Sequence, residues 1–284
     1  MFMSWQWHGP GYTARLRRGV AVDRLLYNDD AAASYEQAMA RISRHFVPLM
    51  LEAGHLAKGH HLLDVATGTG LIAEAALGVV GPAGRVTAVD IAPGMVEQAR
   101  RRLGKAPNVT VGVEDGQSLS FADSSFDTVL CSLALMFFPD PGKALADFHR
   151  VLRPGGYAAV SVNTVPEHSY NTRVHAYIAR HDPSAAPAAV RIFSLGDEQR
   201  LRSLFEAAGF RDVTLEVQSH RFPHDSFEAY FEQYERGWDA QGQAYLALTE
   251  DMRRLVREDI RRGVNDTGGP IDVEVQYRFA SGRK

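Results

Sequence analysis

Three carboxylates and two glycines in this chain of 284 residues have the types and spacing of a ligand site. In HHLLDVATGTGLIA, residues 60–73, a short apolar run ends in a glycine turn and re-enters an apolar helix. Such a turn presents bare backbone N–H groups to a ligand. Gly68 and Gly70 allow close approach to the main chain, and Asp64 stands at the mouth of the turn. Asp90 and Asp115 lie near the ends of two further strand-like runs, RVTAVDI and NVTVGVED. Side chains there reach the crevice outside the carboxyl edge of a parallel sheet, where they can accept hydrogen bonds from hydroxyl or amino donors.

The letters GTGLIA from Gly68 also satisfy the dinucleotide pattern G-x-G-x-x-A, with Asp90 about 20 residues on. Two features count against that reading. A pyrophosphate on the helix N-terminus would be repelled by Asp64. The first glycine of the pattern also falls late after the strand. A ligand without phosphate but with a ribose, an amino-acid group and a positive centre fits better. S-adenosylmethionine has all of these.

The elements that would position these residues alternate. HHLLDVA, RVTAVDI, NVTVGVED, FDTVLCSLAL and YAAVSVNT read as strands, the fourth an apolar run covered on both faces. Between them, GLIAEAALGVV, PGMVEQARRRLG and DPGKALADFHRVLRPGG read as helices with glycine or proline punctuation. This order predicts an α/β fold, Rossmann-like and doubly wound, with a mostly parallel seven-stranded sheet, an antiparallel last strand and a helical cap. The expected division is an N-terminal arm and lead-in helix (1–54), a core (55–223), a helical lid (224–268) and a final core strand (269–284). A helix over SLGDEQRLRSLFEAAGF with a Ser194 cap, a strand over DVTLEVQSHRF, and charged helical stretches near 225–239 and 242–262 complete the expectation.

In this order the motifs resemble class I S-adenosylmethionine-dependent methyltransferases, especially the ubiquinone/menaquinone C-methyltransferase branch. LLDVATGTG is similar to the family's first motif, with Ala66 where many members carry glycine. VTAVDIAPGMVEQAR resembles the second, whose acid, here Asp90, takes the ribose hydroxyls. VGVEDGQSLSFADSSFDTV resembles the third, which implies that Asp115 meets the adenine amino group beside Gly116. The resemblance further implies cofactor contacts at Thr69, Ile91, Met95 and Gln117, and Ser132 below the methyl donor. Asp64 would act through the methionine amine or an ordered water, or cap the following helix.

Methyl transfer from a sulfonium needs in-line alignment and a dry pocket, and needs a base only where the acceptor atom must lose a proton of high pKa. His168 and Tyr170, after the fifth strand in VNTVPEHSY, are the candidate base and orienting group. Tyr27 and Tyr35 are candidates to close over the cofactor. His220 and His224 are weaker ones, His149 reads as structural and the single Cys131 as core. Aromatics in 224–268 suggest a lid over an aromatic or prenylated molecule. Arg253, Arg254, Arg257, Arg261 and Arg262 read as a solvated helix face.

Thirty-one basic against 34 acidic residues give a net charge of −3, which offers no pull toward nucleic acid or an anionic membrane. One cysteine excludes an internal disulfide and a thiolate metal cluster, and no metal is expected. Neither a signal peptide nor a membrane span is read, so the expectation is a cytoplasmic bacterial enzyme with a small-molecule acceptor transferring to O or C, a homodimer being compatible. The alternatives are an RNA or protein methyltransferase, a cofactor-binding module without turnover, and an NAD-dependent reductase.

Overall fold

The computed structural model describes residues 29–237 and 239–284, with side chains from residue 41 onward. Seven strands form one sheet: β1 (His61–Val65), β2 (Arg85–Asp90), β3 (Val109–Val113), β4 (Phe126–Ser132), β5 (Leu152–Asn163), β6 (Arg211–His224) and β7 (Ile271–Arg283). Their order across the sheet is β3-β2-β1-β4-β5-β7-β6, and β7 alone runs antiparallel to its neighbours. The expected doubly wound architecture is therefore the observed one.

Alternation along the central strands builds two cores. Leu62 and Leu130 face one layer with α1 (Asp29–Ala53), α2 (Leu71–Val80) and α3 (Pro93–Leu103). Leu63, Val65, Val129 and Cys131 face the other, with α4 (Pro141–Val151). The switch between faces lies beside β1 and β4, and the crevice above their carboxyl ends is where open α/β sheets bind ligands.

The remaining helices are α5 (Arg173–His181), α6 (Ala186–Ile192), α7 (Glu198–Ala207), α8 (Phe227–Glu235), α9 (Ala240–Leu246) and α10 (Glu250–Gly263). Helix α7 starts from an Asp197 cap, whose Oδ1 accepts from the Arg200 amide at 2.8 Å, in place of the expected Ser194. A carboxylate outcompetes a hydroxyl three residues further out because it stands at the first helical turn. The two charged stretches before β7 resolve into α8, α9 and α10. Helices α5 and α6 were not anticipated, and α5 packs against α10 to form part of the same cap.

Strand β5 begins at Leu152, directly after α4, so the Pro-Gly-Gly segment ends the helix yet belongs to the strand. Its pairing with β7 stops at Asn163–Tyr277, whereas β6 and β7 stay paired to His224–Ile271. The last residues of this pair form a two-stranded arm rising about 20 Å beyond β5. No described helix is long and apolar enough to cross a membrane.

Candidate active site

At the carboxyl ends of β1 and β2 the sequence motifs close into one cradle. The amide of Thr67 donates to Val89 O at 2.9 Å, which folds the turn back over β2. Ala66 lies in the left-handed region at φ 56°, as does Gly68 at φ 57°. Space beside Gly68 is open where a side chain would project, with no protein atom within 4 Å. Gly70 caps α2 at φ 87°, and a side chain there would press on Leu103 and Ala99 of α3.

Asp64 is 1% exposed, and its Oδ2 accepts from the Thr67 hydroxyl at 2.6 Å. Burial pushes its carboxyl up to about 7, with the nearby Asp90 adding to the rise and Thr67 opposing it. Asp90 Oδ2 accepts from the Gly68 amide at 2.9 Å and Oδ1 from the Ala92 amide at 3.0 Å. Burial raises this carboxyl as well, against those amides. Beside it Ile91 is exposed, while Met95 is buried beneath. The hydroxyl of the buried Thr69 accepts from Arg102 at 3.4 Å.

Asp115 is exposed and accepts from the Gln117 amide at 2.9 Å. Gln117 in turn accepts from the Asp140 amide at 2.8 Å, which ties this loop to the start of α4. Gly116 is enclosed: a side chain would come within 2.7 Å of both Val65 and the Phe138 ring. Ser132 ends β4 with its hydroxyl 2.9 Å from that of Ser161 on β5. Cys131 beside it is fully buried, and burial near Asp64 and Asp90 raises its thiol far above the usual range.

The two residues after β5 have different surroundings. Tyr170 is 7% exposed, with its hydroxyl 3.3 Å from His224 Nε2 and its ring edge-on to Tyr230 and Phe222. Burial raises its phenol and lowers His224 to about 4, so a phenol faces a neutral imidazole. His168 instead faces Glu274, its Nδ1 4.0 Å from Oε1. Phe222 and His224 alternate with Arg221, which pairs with Glu274, so Tyr170 and His168 address opposite faces of the β6–β7 arm. The structure brings Tyr170 together with His224 rather than with His168.

His220 stacks on His45 at 3.7 Å, and Phe46 packs on Tyr277 at 4.6 Å. His149 meets Phe210 edge-on at 5.1 Å in the second core. Tyr27 and the Tyr35 side chain lie outside the described residues. The α10 arginines are more engaged than a free solvated face: Arg257 lies over Phe227 and Phe231 and pairs with Glu235 and Glu228. Arg261 lies over Phe227 and pairs with Glu228 and Asp266. These contacts follow from α8 facing α10 with an acidic edge, which the spacing within α10 alone does not reveal. A cavity of about 640 Å³ opens at the opposite, amino edge of the sheet, beside His61, Arg85 and Asn108, and shares no residue with this crevice.

Residues 63–160 match the family model described as a methyltransferase domain. A ubiquinone/menaquinone biosynthesis C-methyltransferase of Saccharophagus degradans is 30% identical over 184 residues, covering 60% of this chain and 74% of that protein. Its counterpart in Pseudoalteromonas translucida is 30% identical over 174 residues, covering 56% and 69%. A solved phosphoethanolamine N-methyltransferase of Haemonchus contortus, in complex with phosphomonomethylethanolamine and S-adenosylhomocysteine, has a TM-score of 0.61 at 20% identity, covering 93% of this chain and 59% of that one. The YcgJ protein of Bacillus subtilis has a TM-score of 0.57 at 22% identity, covering 85% and 98%. At these identities the two structures speak to the fold.

Proposed function

Because the chain belongs to the class I S-adenosylmethionine-dependent methyltransferases, in the branch of the ubiquinone/menaquinone C-methyltransferases, we propose that it methylates an oxygen or carbon atom of a small, largely apolar acceptor. The observation that carries the acceptor class is the continuous buried aromatic layer of Phe46, Tyr170, Phe222, Tyr230, Tyr277 and Phe279, which runs along β6 and β7 from the end of β5 into the arm. Such walls suit apolar ring systems. Pairing of Arg257 and Arg261 with acids of the cap disfavours a phosphate-binding face for RNA. One buried cysteine likewise supplies no thiolate set for an arsenic acceptor.

The crevice fits the cofactor. The open space beside Gly68 admits a ligand against the backbone, and Asp90 stands where ribose hydroxyls would donate. Exposed Ile91 leaves an apolar surface beside that acid. In this proposal Ala66, Gly68, Thr69 and Gly70 shape the turn around the methionine portion, and Asp64 answers its ammonium. Asp90, Ile91 and Met95 hold the ribose and one adenine face, and Asp115, Gly116 and Gln117 hold the other end of the adenine, with Ser132 below the sulfur.

When bound, S-adenosylmethionine supplies an electrophilic methyl group on a sulfonium. The chain contributes alignment, worth up to about 7–11 kcal/mol in well-oriented systems, and an apolar surround that favours loss of charge at the reacting centre. Tyr170, fixed by His224, is a positioning residue of the aromatic wall. His168, on the other face of the arm, receives no part in transfer here.

Incubation with a methyl-labelled donor tests the reading. Label entering an organic extract of small molecules, and not bulk RNA or protein, is the expected result. Label in RNA or protein would replace the acceptor class. Tight binding of S-adenosylhomocysteine with no turnover in any extract would point to a cofactor-binding module.

A further inference from the structure

The cap holds a cavity of about 200 Å³ bounded by the turn after β5, the end of α10 and the β6–β7 arm. Arg173, the first residue of α5, lines it and is 1% exposed. Arginine keeps its charge in any protein environment, so this guanidinium is a buried cation. Its Nε donates to Ser169 O, its Nη2 to Glu274 O at 3.4 Å, and the Tyr230 ring lies 6.0 Å away. These partners are carbonyls and a π face, and no carboxylate among the described residues forms an ion pair with it.

The acids around the cavity pair with other arginines or lie exposed. Glu274 pairs with Arg221 at 3.4 Å and Glu167 with Arg180 at 3.5 Å. Asp272 is exposed, where water screens it. Against the same cavity lies His168, whose Nδ1 is buried without a hydrogen-bond partner. Glu274 Oε1, at 4.0 Å, is too far to supply one.

Buried charges are normally paired and buried ring nitrogens normally bonded. Here one of each lines the same partly open cavity, which has room for about six waters' share of liquid. We propose that this cavity binds a small oxyanion, a carboxylate or phosphate group, between Arg173 and His168. Oxygen acids accept from guanidinium and imidazole donors together, whereas an amine or a neutral apolar ligand would leave the cation uncompensated. This site stands independently of methyl transfer.

The test titrates the full chain with inorganic phosphate or with benzoate at constant ionic strength, following histidine ring shifts by NMR and the melting temperature. A saturable shift at His168, with a rise in melting temperature, is expected from one or both anions. His168→Ala, at a half-buried position, should weaken that binding by about tenfold or more, and Arg173→Met should remove it. Response to phosphate alone assigns a phosphate-bearing ligand, and response to benzoate alone a carboxylate. No saturable response to either anion, or an unchanged response in His168→Ala, overturns the site even if Arg173→Met fails to fold.

Discussion

The amide of Gly68 donates to the Asp90 carboxylate at 2.9 Å, so one side chain both pins the turn after β1 and faces the proposed ribose position. Asp90→Ala removes a charged acceptor worth about 1.5–3 kcal/mol for each such bond. Calorimetry with S-adenosylhomocysteine should show binding weakened by about tenfold to a hundredfold, with the chain still folded.

Asp64 predicts a pH dependence of cofactor affinity. In the folded chain its carboxyl holds a proton up to about pH 7, whereas the unconstrained group loses it near 3.8. The native state therefore binds more protons across that window, and this residue lowers stability as pH rises through it. A cationic ligand favours the ionised form, so affinity for S-adenosylmethionine should climb toward pH 7 and then level off. Asp64→Asn should abolish the slope. Thr67→Ala, which removes the bond that lowers this pKa, should move the midpoint upward.

Ala66 occupies backbone space that glycine enters freely, at φ 56°. An L side chain in the left-handed region costs about 1–2 kcal/mol, partly offset by the entropy glycine loses on folding. Ala66→Gly should leave stability unchanged or raise it by up to about 1 kcal/mol in a denaturant melt. A loss larger than that would remove strain at this turn from the account.

His224 predicts an acid-sensitive cap. Folded, it stays neutral down to about pH 4, against 6.5 for the ordinary imidazole. The unfolded chain takes up the extra proton first, so stability falls as pH drops from 6.5 toward 4. Melting curves of His224→Gln should be flatter over that range. Tyr170→Phe keeps the aromatic wall and loses one hydrogen bond, at a cost of about 0.5–1.5 kcal/mol; it should raise KM for the acceptor more than it lowers kcat.

The site was legible where chemistry is local. Asp64, Gly68 and Gly70 share β1 and the turn that follows it, and Asp90 ends the next strand, paired in parallel with β1, so a strand–helix–strand reading brings them together. Helices α5 and α6 were not legible, because at nine and seven residues they are too short to show a sustained helical period. The meeting of Tyr170 with His224 spans 54 residues and depends on the register of β6 with β7. That register also turns Glu274, and so His168, to the opposite face. A pattern read along one strand contains no information about which face its distant neighbour will occupy. Asp197 offered a local signal that was missed, standing as a carboxylate just ahead of α7.

Strand β7 is translated after both β5 and β6, yet it lies between them. Until residues 271–283 leave the ribosome, two strand edges stay open to any passing chain. Closing that gap completes the sheet and raises the arm against which the cap is built. A chain without residues 271–283 would keep the strands of the cofactor crevice yet lose the partner that both β5 and β6 pair with.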